Sequence, residues 1–371
     1  MRFLVTGANG FIGKNLCLRL QELDHTVIKL CRSDTLESLA DQIHTIDGVF
    51  HLAGENRPVD PAAFQQVNSG LTSQLCDLLT NSGKSTPVIL ASSAQAELDN
   101  HYGLSKLAAE QAVTRYATQN GAAAMIYRLP GVFGKWAKPN YNSVVATFCH
   151  NIANDQPIQI SDPSKLIDLV YIDDVVDGFI SEMSLAITNK YTGSKLLAIS
   201  NHYQITLGDL ADQIRAFQQC RTTLISERVG TGFTRVLYAS YVSYLPISKF
   251  SYDVPVYGDS RGVFVEMLKT IDSGQFSFFT AHPGITRGGH YHHTKTEKFL
   301  VIKGRARFGF RNVISNELHH IDTSGEQPQV VETVPGWTHD ITNVGEDELV
   351  VMLWANEIFD RAKPDTTANK V

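Results

Sequence analysis

A glycine-rich segment directly after the first apolar run constrains the fold of this chain more than any other feature. The run from Arg2 to Thr6 is typical of a β-strand, and the segment TGANGFIG then places Gly7, Gly10 and Gly13 at the start of a helical pattern. Further short apolar runs follow, with helical patterns between them: TVIKL, GVFHLAG, PVIL and AMIYRLP. This alternation predicts a doubly wound, parallel α/β sheet.

The character of the sequence changes after about residue 255. Gly, Asn and Pro turns now separate short strand-like runs, which are GVFVEML, QFSFFTAH, EKFLVIKG, RARFGF and ELVVMLWA. This pattern predicts an all-β module. We therefore expect two domains, an α/β domain over residues 1–250 and an all-β domain over residues 251–371.

The composition excludes several kinds of partner. A net charge of −6, without a Lys/Arg run interleaved with aromatic residues, argues against a nucleic-acid partner. The N-terminal residues show no export signal, and no apolar run is long enough to span a bilayer, so we expect no membrane partner. The five cysteines are scattered singly, which indicates reduced thiols and a cytoplasmic location.

The glycine segment suits a dinucleotide cofactor, because its backbone N–H groups and the start of the helix can face a pyrophosphate, as in Rossmann-type folds. An ordinary tight turn is the alternative. Arg32 follows the second strand, where NAD-binding folds have an acidic residue, and its guanidinium suits a 2′-phosphate, which favours NADPH. The alternative there is that Asp34 binds the ribose. The candidate loop residues are Gly7, Gly10, Phe11, Ile12 and Gly13.

The segment YGLSK carries Tyr102 and Lys106 four residues apart, on one face of a predicted helix. A neighbouring ammonium lowers the pKa of a phenol. With Ser93 at the end of a strand, these side chains can bind a carbonyl and protonate it as a hydride arrives. The alternative is that Tyr102 and Lys106 are an ordinary surface pair. The glycine segment and the Ser at the end of a strand argue against that alternative.

Seven of the 13 histidines fall after residue 281. Alternation along a strand sends His290 and His292 to one face, and a turn can bring Glu297 beside them. With His339 they form a candidate site for a divalent metal such as Zn²⁺, Fe²⁺, Mn²⁺ or Ni²⁺. Core or surface histidines are the alternative, and it is the better interpretation of His293, His319 and His320.

Five segments of the first half, TGANGFIG, HLAG, ASS, YGLSK and YRLPGVFG, resemble the extended short-chain dehydrogenase/reductase family over about residues 1 to 245. The resemblance implies that Ser93, Tyr102 and Lys106 are catalytic, that Ala53 and Arg128 adjoin the cofactor or substrate, and that the substrate is a nucleotide-activated sugar. The loop KWAKPNYNS can line a pocket for that sugar or be an ordinary loop; its candidate residues are Lys135, Asn140 and Asn142.

The second half resembles the cupin family, whose fold is a jelly-roll barrel. The first cupin motif is matched by Gly284, His290, His292, Glu297 and Gly304, and the second, less completely, by Pro335, Gly336, His339 and Asn343. Within the cupins, GDSRGVFVEML, TRGGHYH and EKFLVIKG resemble the nucleotide-sugar 3- or 3,5-epimerases. Metal-free members have a Lys where this chain has Glu297. They also have their base at the position of His290, which we assign as a metal ligand, so the base stays unassigned.

The whole chain resembles the bifunctional capsule and O-antigen enzymes that join such a reductase to a cupin. The resemblance implies NADPH, a bound zinc, a homodimer and a UDP-activated keto-deoxy sugar. C3 epimerisation in the cupin would precede C4 reduction, giving UDP-N-acetyl-6-deoxy-L-talosamine on the route to UDP-N-acetyl-L-fucosamine. The alternatives are a single reductase activity with a structural cupin, and a regulator that binds dinucleotide and sugar.

Overall fold

A computed structural model describes residues 1–58, 60–259, 262–265, 268–270, 274–357 and 362–371. These residues form two compact units. The first comprises Met1–Val132 and Asp168–Gln204, and the second comprises Phe133–Ile167 and Ile205–Val371. The second unit thus includes residues on both sides of position 250, and the domain boundary at 250 and 251 stays a prediction.

The first ten strands are β1 (Arg2–Thr6), β2 (Thr26–Leu30), β3 (Gly48–His51), β4 (Val88–Ser93), β5 (Ala123–Leu129), β6 (Gly131–Phe133), β7 (Leu166–Tyr171), β8 (Gly193–Leu197), β9 (Tyr203–Thr206) and β10 (Ile225–Ser226). The helices are α1 (Phe11–Glu22), α2 (Ala62–Phe64), α3 (Leu71–Asn81), α4 (His101–Asn120), α5 (Val144–Ala153), α6 (Ile172–Thr188), α7 (Leu207–Thr223) and α8 (Gly232–Val242). A wider helical turn, Gln65–Gly70, joins α2 to α3. None of the helices in the described part of the chain is long and apolar enough to cross a bilayer.

The first unit is built on a six-stranded sheet in the order β2-β1-β3-β4-β5-β8, with every pair of neighbours parallel. Side chains alternate between its two faces. Leu4 and Val49 pack in one core cluster with Leu75 of α3 and Val113 of α4. The ring of Phe3 contacts the ring of Phe50 of β3 at a centroid distance of 5.4 Å. Helix α1 packs with α6. The predicted doubly wound sheet is confirmed.

The remaining strands belong to the all-β part. They are β11 (Ser251–Asp253), β12 (Val256–Asp259), β13 (Gly262–Val265), β14 (Lys269–Thr270), β15 (Gln275–Ala281), β16 (Thr286–Tyr291), β17 (Glu297–Lys303), β18 (Arg305–Asn312), β19 (Leu318–Ser324), β20 (Gln329–Glu332), β21 (Trp337–Asn343), β22 (Leu349–Ala355) and β23 (Thr367–Ala368). The run GVFVEML corresponds to β13, while its Glu266 and Met267 lie outside the described residues.

Two five-stranded sheets form the barrel of the second unit. Their orders are β11-β20-β17-β22-β15 and β19-β18-β21-β16-β23. Phe299 of β17 packs on Phe308 of β18, with ring centroids 5.6 Å apart, so the apolar faces of the two sheets meet. The predicted all-β module of jelly-roll type is confirmed. Helices α5, α7 and α8 pack on one another in the same unit, and Arg221 of α7 forms a buried ion pair with Glu332 of β20.

Candidate active site and metal centre

The glycine loop lies between β1 and α1 in a conformation that requires glycine. Gly7 has a φ of 66°, and its amide donates to the Leu30 carbonyl at 2.9 Å. A Cβ on Gly13 would lie 2.2 Å from the Gly7 carbonyl oxygen. Helix α1 begins after Gly10, which makes no side-chain capping hydrogen bond. The first turn of α1, at Phe11 and Ile12, therefore presents the positive end of the helix without a side-chain cap.

Ala53 borders this loop. A Cβ on Gly7 would lie 2.8 Å from the Ala53 amide nitrogen, and that amide donates to the Thr6 hydroxyl at 3.1 Å. Thr6 in turn contacts His51, whose ring bridges to Thr72 over distances of 2.7 and 2.8 Å. Burial, with the Lys106 charge adding to it, lowers the pKa of His51 to about 3. The buried, neutral His51 thus holds the loop through its contact with Thr6. The sequence analysis did not predict this role.

The structure brings Ser93, Tyr102 and Lys106 onto neighbouring elements. Ser93 ends β4, and Tyr102 and Lys106 lie one turn apart on α4. The Lys106 ammonium is buried and donates to the Ala91 carbonyl at 3.0 Å. Burial raises the pKa of Tyr102, which outweighs the lowering by Ser93, and burial also lowers the pKa of Lys106 to about 8. The expected depression of the phenol pKa is therefore not what the structure shows, because desolvation dominates.

Asn68 completes the surroundings of Lys106. Its amide group donates to the Ser105 hydroxyl at 2.9 Å and to the Glu55 carbonyl at 3.0 Å, and its oxygen accepts from the Glu55 amide at 2.8 Å. A Cβ on Gly54 would lie 3.0 Å from that oxygen and 3.1 Å from the Lys106 ammonium nitrogen. The sequence analysis missed Asn68, because the only signal is one polar residue in a helical segment.

Arg32 extends from the end of β2 into solvent. Its side chain is 91% exposed and its guanidinium lies 3.1 Å from the Glu55 carboxylate. The Asp34 carboxylate instead accepts the Cys31 amide at 2.7 Å and so closes a local turn. Of the two groups considered for the ribose and its 2′-phosphate, the guanidinium has the more open position.

Arg128 of β5 forms ion pairs with two carboxylates, and its place beside the cofactor or substrate stays a prediction. Its guanidinium donates to both carboxylate oxygens of Glu110, at 2.7 to 3.3 Å, and to Glu97 at 2.8 Å. Two carboxylates therefore engage this cation, and its main role in the structure is to hold α4 to the sheet.

The residues of the loop KWAKPNYNS belong to the second unit. Lys135 is buried, and its ammonium lies 5.4 Å from the ring centroid of Trp136. Asn140 has a φ of 52°, and its amide donates to the Thr147 hydroxyl at 3.0 Å. These contacts give Lys135 and Asn140 local structural roles. Their role in a sugar pocket, like that of Asn142, stays a prediction.

The four predicted metal ligands come together in the barrel. His290 is the second-last residue of β16, His292 follows the strand, Glu297 begins β17, and His339 lies on β21 directly opposite His290. One ligand atom from each residue lies within 4.8 Å of the others. The Glu297 carboxylate oxygen is 3.2 Å from His292 Nε2 and 3.4 Å from His339 Nε2. His290 is partly buried and the other three are buried.

The protonation states of this cluster suit a cation. Burial alone would raise the pKa of Glu297, but the imidazoles of His292 and His339 hold it well below its usual range. Burial and the neighbouring rings lower the pKa of His290 to about 4, and burial lowers that of His339. Within the described residues, neither ring nitrogen of His339 has a hydrogen-bond partner. Neutral imidazoles, one carboxylate and a buried unsatisfied ring fit a divalent metal.

Lys295 was missed by the sequence analysis. Its buried ammonium lies 2.7 Å from the second carboxylate oxygen of Glu297. The available signal was the two-residue spacing between Lys295 and Glu297, because residues two apart in an extended segment share a face. The Glu297 carboxylate thus has imidazoles on one oxygen and an ammonium on the other.

Asn343 of the second motif has a structural role in this fold. The Asn343 amide donates to the Ala281 and Asp347 carbonyls, both at 2.9 Å, and so ties a turn. His319 stacks edge-on to Phe250 at 6.4 Å. The four-residue cluster does not include His293, His319 or His320.

Comparisons with known proteins agree with this architecture. The NAD dependent epimerase/dehydratase family matches residues 3–193, and the polysaccharide biosynthesis C-terminal domain matches residues 257–367. The chain is 55% identical to the UDP-2-acetamido-2,6-beta-L-arabino-hexul-4-ose reductase of Pseudomonas aeruginosa, over 100% of this chain and 99% of that protein.

Solved structures give the same result. The capsular polysaccharide assembling protein CapF from Staphylococcus aureus is 40% identical with a TM-score of 0.67, and each chain is covered at 100%. A UDP-N-acetylglucosamine 4-epimerase from Bacillus cereus, 22% identical with a TM-score of 0.51 over 58% of this chain and 81% of its own, shares the fold. The fold defines an α/β nucleotide-cofactor enzyme carrying a β-barrel. The chain belongs to the NAD dependent epimerase/dehydratase family, in the CapF-like group with a polysaccharide biosynthesis C-terminal domain.

Proposed function

We propose that this protein is a homodimeric, bifunctional enzyme that epimerises C3 of a UDP-4-keto-6-deoxy-N-acetylhexosamine and then reduces C4 with NADPH. The product would be UDP-N-acetyl-6-deoxy-L-talosamine, on the route to UDP-N-acetyl-L-fucosamine. The reductase named among the relatives supports a UDP-activated keto-sugar substrate. The observation that carries the proposal is that Ser93, at the end of β4, is close enough to the Tyr102 phenol of α4 to lower its pKa, on a dinucleotide fold.

Bound NADPH would supply the hydride for the C4 carbonyl. Tyr102 would supply the proton, since burial raises the pKa of its phenol and keeps it protonated. The Ser93 hydroxyl can donate to the same carbonyl oxygen and orient it. Lys106, one helical turn after Tyr102, would stabilise the phenolate that remains after the proton has moved.

The cofactor would bind along the first βα unit. The glycine loop, Gly7 to Gly13, allows a pyrophosphate to approach the backbone at the start of α1. Ala53 borders that loop. The exposed Arg32 guanidinium would turn from Glu55 to the 2′-phosphate, which favours NADPH over NADH.

In the barrel, His290, His292, Glu297 and His339 would hold a divalent ion, which we propose is Zn²⁺. Three imidazoles and a single carboxylate are donors that Zn²⁺ prefers. The ion would supply positive charge for the C4 oxygen when C3 loses its proton. His290 cannot be both ligand and base, so the base remains unassigned.

The order of the two steps follows from the substrate. The C4 carbonyl acidifies the C3 proton, and reduction removes that carbonyl. Epimerisation must therefore come before reduction.

Deuterium exchange tests the proposal directly. The protein with its metal is incubated in D₂O with the UDP-4-keto-6-deoxy-N-acetylhexosamine and without NADPH, and C3 is followed by NMR. Exchange supports epimerisation before reduction. Absence of exchange, with NADPH oxidation intact, would indicate a single reductase with a structural barrel. Absence of both would favour a regulator that binds dinucleotide and sugar.

A further inference from the structure

The last described segment of the chain closes over the loop that carries the predicted metal ligands. Strand β23 pairs with β16, opposing Thr367 to Tyr291 and Ala368 to His290. Just before β23, Asp365 faces the loop between β16 and β17. A residue some 70 positions away along the chain thereby contacts the neighbours of His292.

The Asp365 carboxylate accepts hydrogen bonds from three consecutive backbone amides of that loop. One oxygen accepts the His293 amide at 2.9 Å. The other accepts the Thr294 amide at 2.6 Å, the Lys295 amide at 2.7 Å and the Thr294 hydroxyl at 2.9 Å. An anion held by successive amides fixes the loop conformation. Because the loop runs directly from His292 to Glu297, this conformation sets the separation of two ligands.

The backbone carbonyl of Asp365 acts on His292 itself. It lies 2.5 Å from His292 Nδ1. A carbonyl can only accept, so Nδ1 must carry the hydrogen. In the neutral ring, Nε2 then has its lone pair available on the side of Glu297, where it lies 3.2 Å from the carboxylate.

The loop is also held from the opposite side. The Arg235 guanidinium of α8 donates to the Thr294 hydroxyl at 2.5 Å and lies 2.5 Å from the Glu357 carboxylate. The Asn356 amide oxygen accepts the Thr296 amide at 3.0 Å. Asp365 is the group in this arrangement that contacts both the loop amides and a ligand ring.

We propose that Asp365 is a positioning residue for the metal centre: its carboxylate sets the loop from His293 to Lys295, and its carbonyl fixes the ring of His292. Such contacts beyond the ligands typically contribute about 10- to 100-fold in metal affinity. The inference rests on the metal centre proposed above. It assigns a metal-related role to a residue that lies outside both histidine motifs.

The test uses the full-length protein and the isosteric Asp365→Asn variant, whose NH₂ group would oppose the loop amides. The control is Asp322→Asn, which removes an exposed carboxylate of the same barrel that pairs with Arg307. Zn²⁺ affinity is measured by competition with a chromophoric chelator, and the melting temperature is recorded with and without Zn²⁺. Affinity should fall about 10- to 100-fold in Asp365→Asn only. The rise in melting temperature on adding Zn²⁺ should shrink in parallel.

If Asp365 had only a structural role, Asp365→Asn would lower the melting temperature equally with and without Zn²⁺ and would leave the Zn²⁺ affinity unchanged. That result would overturn the inference. Should Asp365→Asn fail to fold, Thr294→Val removes one of the same hydrogen bonds and should weaken Zn²⁺ binding, whereas unchanged binding would count against the proposal. If the unmodified protein binds no Zn²⁺, the proposed metal centre itself fails, and the inference fails with it.

Discussion

Replacing Tyr102 by Phe isolates the proton that the proposed reduction needs. The ring remains, so its contact with Phe64 at a centroid distance of 5.5 Å is kept and no cavity forms. Only the hydroxyl and its interaction with Ser93 are lost, which costs about 1 kcal/mol of folding stability. General-acid catalysis contributes about 10²- to 10⁴-fold, so the rate of NADPH oxidation with the keto-sugar should fall by that factor. This corresponds to about 3 to 5 kcal/mol of barrier.

The matched control is Tyr116→Phe on the same helix. Its buried hydroxyl donates to the Thr86 carbonyl at 2.9 Å, so this variant loses a comparable hydrogen bond. It should lose similar stability in urea unfolding but keep its rate of NADPH oxidation. C3 exchange without NADPH should be unchanged in both variants, because the barrel is untouched. A Tyr102→Phe enzyme that oxidises NADPH at the wild-type rate would refute the assigned role of the phenol.

Three further predictions concern charge. Because burial lowers the pKa of Lys106 from 10.5 to about 8, the folded protein binds fewer protons than the unfolded chain between these values, and its stability rises with pH there. Urea unfolding should therefore show that the free energy of unfolding of the wild type, relative to that of Lys106→Met, rises by on the order of 3 kcal/mol between pH 7 and about pH 10. A difference between the two proteins that does not change with pH would contradict the burial argument. Arg32→Ala should raise the KM for NADPH about 10- to 100-fold and leave that for NADH nearly unchanged, since one charge-assisted contact is lost; a larger effect of Asp34→Ala in steady-state kinetics would favour the ribose alternative. Glu297→Gln, or removal of the metal with a chelator, should abolish C3 exchange measured by NMR while NADPH oxidation persists, and added Zn²⁺ should restore exchange only to the chelated wild type.

Much of the fold could be predicted because its signals are local. The glycine segment lies where Gly7 adopts a positive φ, and the apolar runs became β1 to β5. Some strands that were not predicted are short or partly exposed, such as β19 and β20. The side chains of β19 carry no clear alternation, and β20 pairs with strands that are distant along the chain. Membership of helices α7 and α8 in the same compact unit as the barrel depends on such long-range contacts.

The site was predictable where residue type and spacing carry the chemistry. His290, His292 and Glu297 lie within eight residues, and their convergence follows from strand alternation and one turn. The roles of Asn68 and Lys295, and the hydrogen bonds that hold the loops, depend instead on contacts that the fold creates. The environment of Tyr102 was predicted wrongly for the same reason, since its burial depends on tertiary packing rather than on the four-residue spacing to Lys106.

The two sites place buried charge in opposite ways, and this difference matches their proposed chemistry. In the α/β unit, Lys106 is buried with a carbonyl as its nearest hydrogen-bond acceptor, so its ammonium is poised to stabilise a transient negative charge on the phenol. In the barrel, Glu297 stays ionised despite burial because imidazoles and the Lys295 ammonium surround it. Keeping a carboxylate charged in an apolar barrel is costly unless a cation shares it. A permanent buried anion suits a resident metal ion, whereas a buried ammonium one helical turn from a protonated phenol suits a proton that leaves and returns in each cycle.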